Sequence, residues 1–72
     1  MTFEEFKQEI EEVITNRPSY YRKGQAVFNH IDEKYGVARA VQFQDGIDCF
    51  YIDNLIDRFV SYAFKRIQQC GQ

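Results

Sequence analysis

The sequence predicts a small all-α domain, and three observations support this prediction. Apolar residues recur at intervals of three and four along three long segments, which aligns their side chains on one face of a helix. Residues that favour helix starts and stops flank these segments. The 72 residues include seven Phe and five Tyr, whose burial can build a core in so short a chain. We therefore expect a single domain over residues 1–72, with three main helices and one short helix.

The first helix is predicted over residues 3–15. Thr2 and Glu5 have the spacing of a capping box, in which each side chain bonds to the backbone amide of the other residue. Pro18 ends the segment because proline pushes the preceding residue out of the helical region. The apolar positions share one face: Phe3, Phe6, Ile10, Val13 and Ile14.

The second helix is predicted over residues 19–35, with Ser19 as its cap and Gly36 as a left-handed terminator. Gly24 lies on the apolar face of this helix, where glycine costs about 1 kcal/mol relative to alanine. We expect the compensation to be the close approach of another helix.

Residues 37–52 allow two interpretations. Val37 and Val41 are one helical turn apart, which favours a short helix over residues 37–43. The same residues also alternate as in a strand, with Asp45-Gly46 as a hairpin turn, which would make the domain α+β.

The last helix is predicted over residues 53–68, with Asp53 as its cap. Leu55, Tyr62 and Phe64 make its apolar face wider than one small core needs. They are therefore either further core residues or a surface for a partner. The predicted core of the whole domain is Phe3, Phe6, Ile10, Phe28, Ile31, Phe50, Phe59, Val60 and Ala63.

Three polar residues, Arg22, Gln25 and Asn29, form a row beside the apolar face of the second helix. Such groups need hydrogen-bonding partners when they are buried. The natural partners are Asp48 and the backbone of the loop that ends at Tyr51. We interpret the set as a structural clamp on this loop, and a ligand or partner site built from the same groups is the alternative.

The same residues resemble a family of short uncharacterised proteins of bacteria and their phages. The matching motifs are Arg22-x-Gly24-Gln25-x-x-Phe28-Asn29 and Asp48-x-Phe50-Tyr51-x-Asp53, within residues 20–60. The family reads D-P-F-Y-D-D at the second motif, so this chain departs from it at Cys49 and Ile52. The resemblance implies an all-helical fold, which favours the helix over residues 37–43, and it implies no activity.

The composition argues against several classes of function. Nine basic and eleven acidic residues give a net charge of −2, which makes nucleic-acid binding unlikely. The alternative is a weak contact of the basic segment Arg17–Lys23 with phosphates. No apolar run approaches the roughly 20 residues that span a bilayer. We expect no signal peptide and reduced thiols at Cys49 and Cys70, hence a cytoplasmic protein.

No group of residues predicts catalysis, a metal site or a cofactor. His30 is the only histidine, so we expect a surface residue without a chemical role. Cys49 has no predicted base beside it, and we expect it to be inert. Asp45, Asp48, Asp53 and Asp57 lack the spacing of a calcium loop. We therefore expect a non-catalytic module that binds a protein or a second copy of itself.

Overall fold

The computed structural model describes residues 1–50 and 53–69, except for the side chain of Asp53. The predicted roles of Tyr51, Cys70 and the Asp53 side chain lie outside the described residues. The described residues form four α-helices, and a short 3₁₀ helix, Asp53–Leu55, precedes the last of them. The helices are α1 (Phe3–Asn16), α2 (Lys23–Tyr35), α3 (Ala38–Phe43) and α4 (Ile56–Gln69). The all-α prediction is confirmed, since no strand occurs within residues 1–50 or 53–69.

The start of α1 follows its predicted capping box. The Thr2 amide donates to Glu5 Oε1 at 2.7 Å, and the Glu5 amide donates to the Thr2 hydroxyl at 3.1 Å. These two bonds satisfy amides that have no partner inside the helix. The capping box is therefore confirmed.

The start of α2 differs from its prediction, because Ser19 does not cap it. Residues 18–21 form a turn in which the Tyr21 amide donates to the Pro18 carbonyl at 3.0 Å. The helix begins four residues later than predicted, at Lys23, with Arg22 as its N-cap. At the other end, Gly36 adopts the predicted left-handed conformation, with φ of 71°.

The short helix favoured for residues 37–43 is present as α3 (Ala38–Phe43), and the alternative of a hairpin at Asp45-Gly46 is excluded. The chain instead folds back on the end of α3, where the Ile47 amide donates to the Val41 carbonyl at 3.2 Å. Gly46, with φ of 72°, permits this reversal because it has no side chain to clash in the left-handed region. Residues 44–50 are therefore a loop, which we call the 44–50 loop.

The core lies between the four helices, and both α1 and α3 pack against α2 and α4. Of the predicted core, Phe3 and Phe50 are only half-buried, and the other residues are buried. The 44–50 loop contributes Ile47 and Cys49, and the Cys49 side chain is completely inaccessible to solvent. A loop that places side chains in the core needs firm attachment to the helices.

Candidate functional site

The 44–50 loop lies directly on the first turn of α2 at Gly24. A Cβ atom at Gly24 would be 1.7 Å from the Cys49 carbonyl oxygen and 2.8 Å from its carbonyl carbon. The Cys49 thiol donates to the Gly24 carbonyl oxygen at 3.6 Å. The expected close approach at Gly24 is present, but its partner is the backbone of a loop and not another helix.

Two members of the predicted polar clamp, Gln25 and Asp48, make hydrogen bonds within their own segments. Gln25 Oε1 accepts from the backbone amide of Arg22 at 3.3 Å and so caps its own helix. Asp48 Oδ1 accepts from the Phe50 amide at 2.9 Å, within the loop. Asn29 is half-buried, and its side chain makes no hydrogen bond to another described residue. These bonds of Gln25 and Asp48 do not cross from α2 to the loop, whereas the contact at Gly24 does.

A second attachment of the 44–50 loop was not predicted. Arg66 on α4 donates from Nε to Asp45 Oδ2 at 2.9 Å and from Nη2 to Asp45 Oδ1 at 3.0 Å. The hydrogen bonds from Arg66 lower the pKa of the Asp45 carboxyl below its ordinary value. Such two-pronged pairs fix orientation as well as distance, so they hold the start of the loop against α4.

The basic segment Arg17–Lys23 is partly occupied by contacts within the chain. Arg17 donates from Nη1 to the Ile14 carbonyl at 2.6 Å and from Nε to the Tyr21 carbonyl at 3.1 Å. The guanidinium thereby satisfies a carbonyl at the end of α1 and stabilises the following turn. Its role in the fold weakens the alternative that this segment binds phosphates.

A polar cluster between α1 and α2 surrounds Glu9 and was also missed. Glu9 Oε2 lies 2.6 Å from His30 Nε2 and 3.2 Å from Lys34 Nζ, and the Tyr35 hydroxyl donates to Glu9 Oε1 at 2.9 Å. His30 is therefore a structural partner, not the isolated surface residue that we expected. A helical wheel could have indicated this cluster, because His30 and Lys34 are one turn apart and face an acidic helix.

Contacts within the Glu9 cluster shift the pKa values of Glu9, Lys34 and Tyr35. Burial alone would raise the pKa of Glu9, but the hydrogen bonds from His30, Tyr35 and Lys34 outweigh it and lower that pKa. Burial, followed by the contact with Glu9, raises the pKa of Tyr35. The cluster therefore favours an ionised Glu9 beside a charged Lys34 and a protonated Tyr35 hydroxyl, an arrangement that joins two helices.

The predicted partner surface on α4 is mostly used by the core. Leu55 and Phe64 are half-buried and pack against the core, with the Phe64 ring 5.2 Å from that of Phe3. Tyr62 is 39% exposed, and Lys65 Nζ lies 5.2 Å from its ring centroid. The three residues therefore do not form one exposed apolar face.

An open groove lies between α1 and α4, and we call it the α1–α4 groove. Its volume is about 340 Å³. The apolar lining combines residues of both helices, and charged side chains of Lys7, Glu11 and Asp57 surround it. The apolar part consists of Phe3, Ile10, Ile14, Ile56 and Val60.

Neither acidic residue of the groove has an intramolecular partner among the described residues. Glu11 and Asp57 are both exposed, and their carboxylates make no hydrogen bond or ion pair within residues 1–50 and 53–69. By contrast, Glu9 and Asp45 are occupied by the contacts described above. The groove thus joins apolar surface to carboxylates that remain open to a partner.

The described residues contain no group of three or more His, Cys, Asp or Glu side chains that could hold a metal ion. None of the helices within the described ranges is long and apolar enough to cross a membrane. Comparisons with models of protein families, with curated proteins and with solved structures give no match. The family resemblance at Arg22-x-Gly24-Gln25 and Asp48-x-Phe50 therefore stays a prediction.

Proposed function

We propose that this chain is a cytoplasmic, non-catalytic protein-binding module whose partner places apolar side chains in the α1–α4 groove. One observation carries the proposal: the groove combines an apolar lining with unpaired carboxylates at its edge. Protein segments are commonly recognised in this way, since burial of apolar side chains supplies affinity and the polar rim supplies orientation.

The distribution of polar contacts supports this choice of surface. Glu9, Asp45 and Arg17 make contacts that stabilise the fold, which explains them without a partner. Glu11 and Asp57 have no such explanation within the described residues. The motif resemblance adds the proposal that the module comes from a bacterial or phage-related gene set.

Photo-crosslinking from defined positions tests the proposal. A photoreactive phenylalanine analogue at position 11 or 57 lies at the edge of the groove, whereas the same analogue at position 12 is exposed on α1 and does not line it. In cells that express the protein natively, we expect covalent protein adducts from positions 11 and 57 and few or none from position 12.

The mass of the adduct separates a second copy of the chain from a different protein. Equal yields of adduct from positions 11 and 12 would indicate non-specific contact and would contradict the proposal that the groove is the binding site. The absence of any adduct from positions 11 and 57, with adducts from other surface positions, would move the binding site elsewhere.

A further inference from the structure

The end of α3 carries an unusually exposed aromatic side chain. Phe43 is 76% exposed, although most large apolar residues of the chain are buried or half-buried. It lies beside a shallow cleft of about 350 Å³ that it shares with Phe28, Gln42 and Phe50. Exposing a phenylalanine ring to water is unfavourable, and a partner that covers it recovers that free energy.

A basic side chain accompanies this ring. Arg39 is one helical turn before Phe43 on α3 and lines the same cleft. Its side chain is 77% exposed, and its nearest carboxylate oxygen, Asp32 Oδ1, is 4.0 Å from Nε. At that distance and exposure the pair contributes little. We call Arg39 and Phe43 together the Phe43 knob, a surface with one aromatic ring and one positive charge.

The α1–α4 groove has the complementary chemistry. Its apolar lining suits an aromatic ring, and its volume of about 340 Å³ exceeds the roughly 150 Å³ that can hold a benzene molecule. Glu11 and Asp57 offer negative charge to an arginine. In one molecule Phe43 stays exposed and shares no lining residue with the groove, so the two surfaces do not satisfy each other.

We infer that the α1–α4 groove binds the Phe43 knob of a second copy of this chain, with Phe43 in the apolar lining and Arg39 beside Glu11 or Asp57. The inference rests on the proposed function, because it names the partner of the same groove. Each copy carries one knob and one groove on different surfaces. The contact is therefore head-to-tail, and further copies can add to either end.

The contact area sets the expected strength. A stable interface buries about 800 Å² on each partner, and one aromatic knob with an arginine buries considerably less. We therefore expect weak association that depends on protein concentration. It should also weaken as the salt concentration rises, since the charges on both surfaces are exposed.

Sedimentation of purified variants tests the inference. Wild-type protein should form dimers and larger species as its concentration rises from micromolar towards millimolar. Phe43→Ser should raise the dissociation constant by about tenfold or more, since a buried aromatic anchor dominates a small interface. The matched control is Tyr20→Ser, because Tyr20 is 80% exposed but lies outside both surfaces, and it should associate like wild type.

A mixing experiment tests the head-to-tail geometry. Phe43→Ser retains an intact groove, whereas Glu11→Arg with Asp57→Arg retains an intact knob but repels Arg39. Each variant alone should be monomeric, and an equal mixture should form a dimer that does not grow further. Charge reversal of the knob, Arg39→Glu, should restore association with the groove variant.

Three results would overturn the inference: a wild-type protein that stays monomeric, a groove variant that associates like wild type, or a mixture that stays monomeric. A monomeric wild type with adducts to a different protein at position 11 would reject the second copy and leave the proposed function intact. Unchanged circular dichroism and melting temperature of each variant establish that the fold is preserved.

Discussion

Two contacts of α2 are built in opposite ways. At its start, the bare backbone of Gly24 touches the backbone of Cys49, and no side chain fits between them. Along its length, Glu9 of α1 reaches the side chains of His30, Lys34 and Tyr35. The Gly24 contact requires that residue 24 has no side chain, and the Glu9 contact requires charged side chains. The Gly24 contact should therefore be insensitive to pH but should not tolerate an added side-chain atom. The Glu9 contact should depend on pH but should tolerate small changes in side-chain size.

The largest expected effect comes from Gly24→Ala. The added methyl group would overlap the Cys49 carbonyl oxygen, which is only 1.7 Å from the Cβ position, so the 44–50 loop must move. We expect the free energy of unfolding to fall by about 3 kcal/mol, as in overpacked cores, despite the better helix propensity of alanine. Chemical denaturation measures this loss.

Lys23→Ala is the matched control, because Lys23 is the adjacent exposed residue of the same helix. Its effect should stay within about 0.5 kcal/mol. A Gly24→Ala variant as stable as wild type would mean that the loop can leave α2 at no cost.

A smaller effect is expected from Asp45→Asn, which tests the second attachment of the 44–50 loop. The substitution keeps the size of the side chain and removes the charge that Arg66 binds through two hydrogen bonds. We expect a fall of a few degrees in the melting temperature. Glu12→Gln, on the exposed face of α1, should leave the melting temperature unchanged. Equal melting temperatures for both variants would exclude a role of this pair in stability.

The Glu9 cluster should make the stability of the protein depend on pH in the acidic range. The folded-state pKa of Glu9 lies below its ordinary value of 4.5. The contribution of ionised Glu9 to the free energy of unfolding is therefore complete above about pH 4.5, and it is lost as the pH falls through the lowered pKa. Glu9→Gln should therefore show a shallower loss of stability with falling pH in this range. Denaturation of both proteins in parallel at several pH values measures the difference. Parallel curves would mean that Glu9 titrates normally.

The smallest effect is expected at the polar row of α2. Gln25 makes a single hydrogen bond of 3.3 Å to the first turn of its own helix, and alanine has the higher helix propensity. Gln25→Ala should therefore cost about 0.5 kcal/mol or less. Asn29→Ala should match wild type within error. A loss well above 1 kcal/mol from Gln25→Ala would support the predicted clamp between α2 and the 44–50 loop.

The sequence predicted those features that depend on neighbouring residues. The Thr2–Glu5 capping box and the Gly36 terminator need only a few adjacent positions, and both occur in the structure. The buried faces of the helices follow from periodicity in the same way. The all-α fold could be predicted because most of its elements carry such local signals.

The attachments between distant segments could not be predicted in the same way. The position of Gly24 indicated that another segment packs closely against it, but no pattern in the sequence identifies Cys49 as that contact. Arg17 donates to the Tyr21 carbonyl in the turn that precedes α2, and the spacing of residues did not indicate this bond in place of a cap at Ser19. The α1–α4 groove depends on how two helices separated by residues 17–55 pack, which periodicity does not specify.

The buried thiol of Cys49 can be used to measure detachment of the 44–50 loop from α2. With no solvent-accessible surface, this sulfur can react with an alkylating reagent only while the 44–50 loop is detached from α2. In a Cys70→Ser background, the rate of modification at excess reagent therefore measures the rate of loop detachment, and at low reagent it measures the fraction of time that the loop is detached. Gly24→Ala should accelerate that chemistry, whereas Glu9→Gln at neutral pH should leave its rate nearly unchanged.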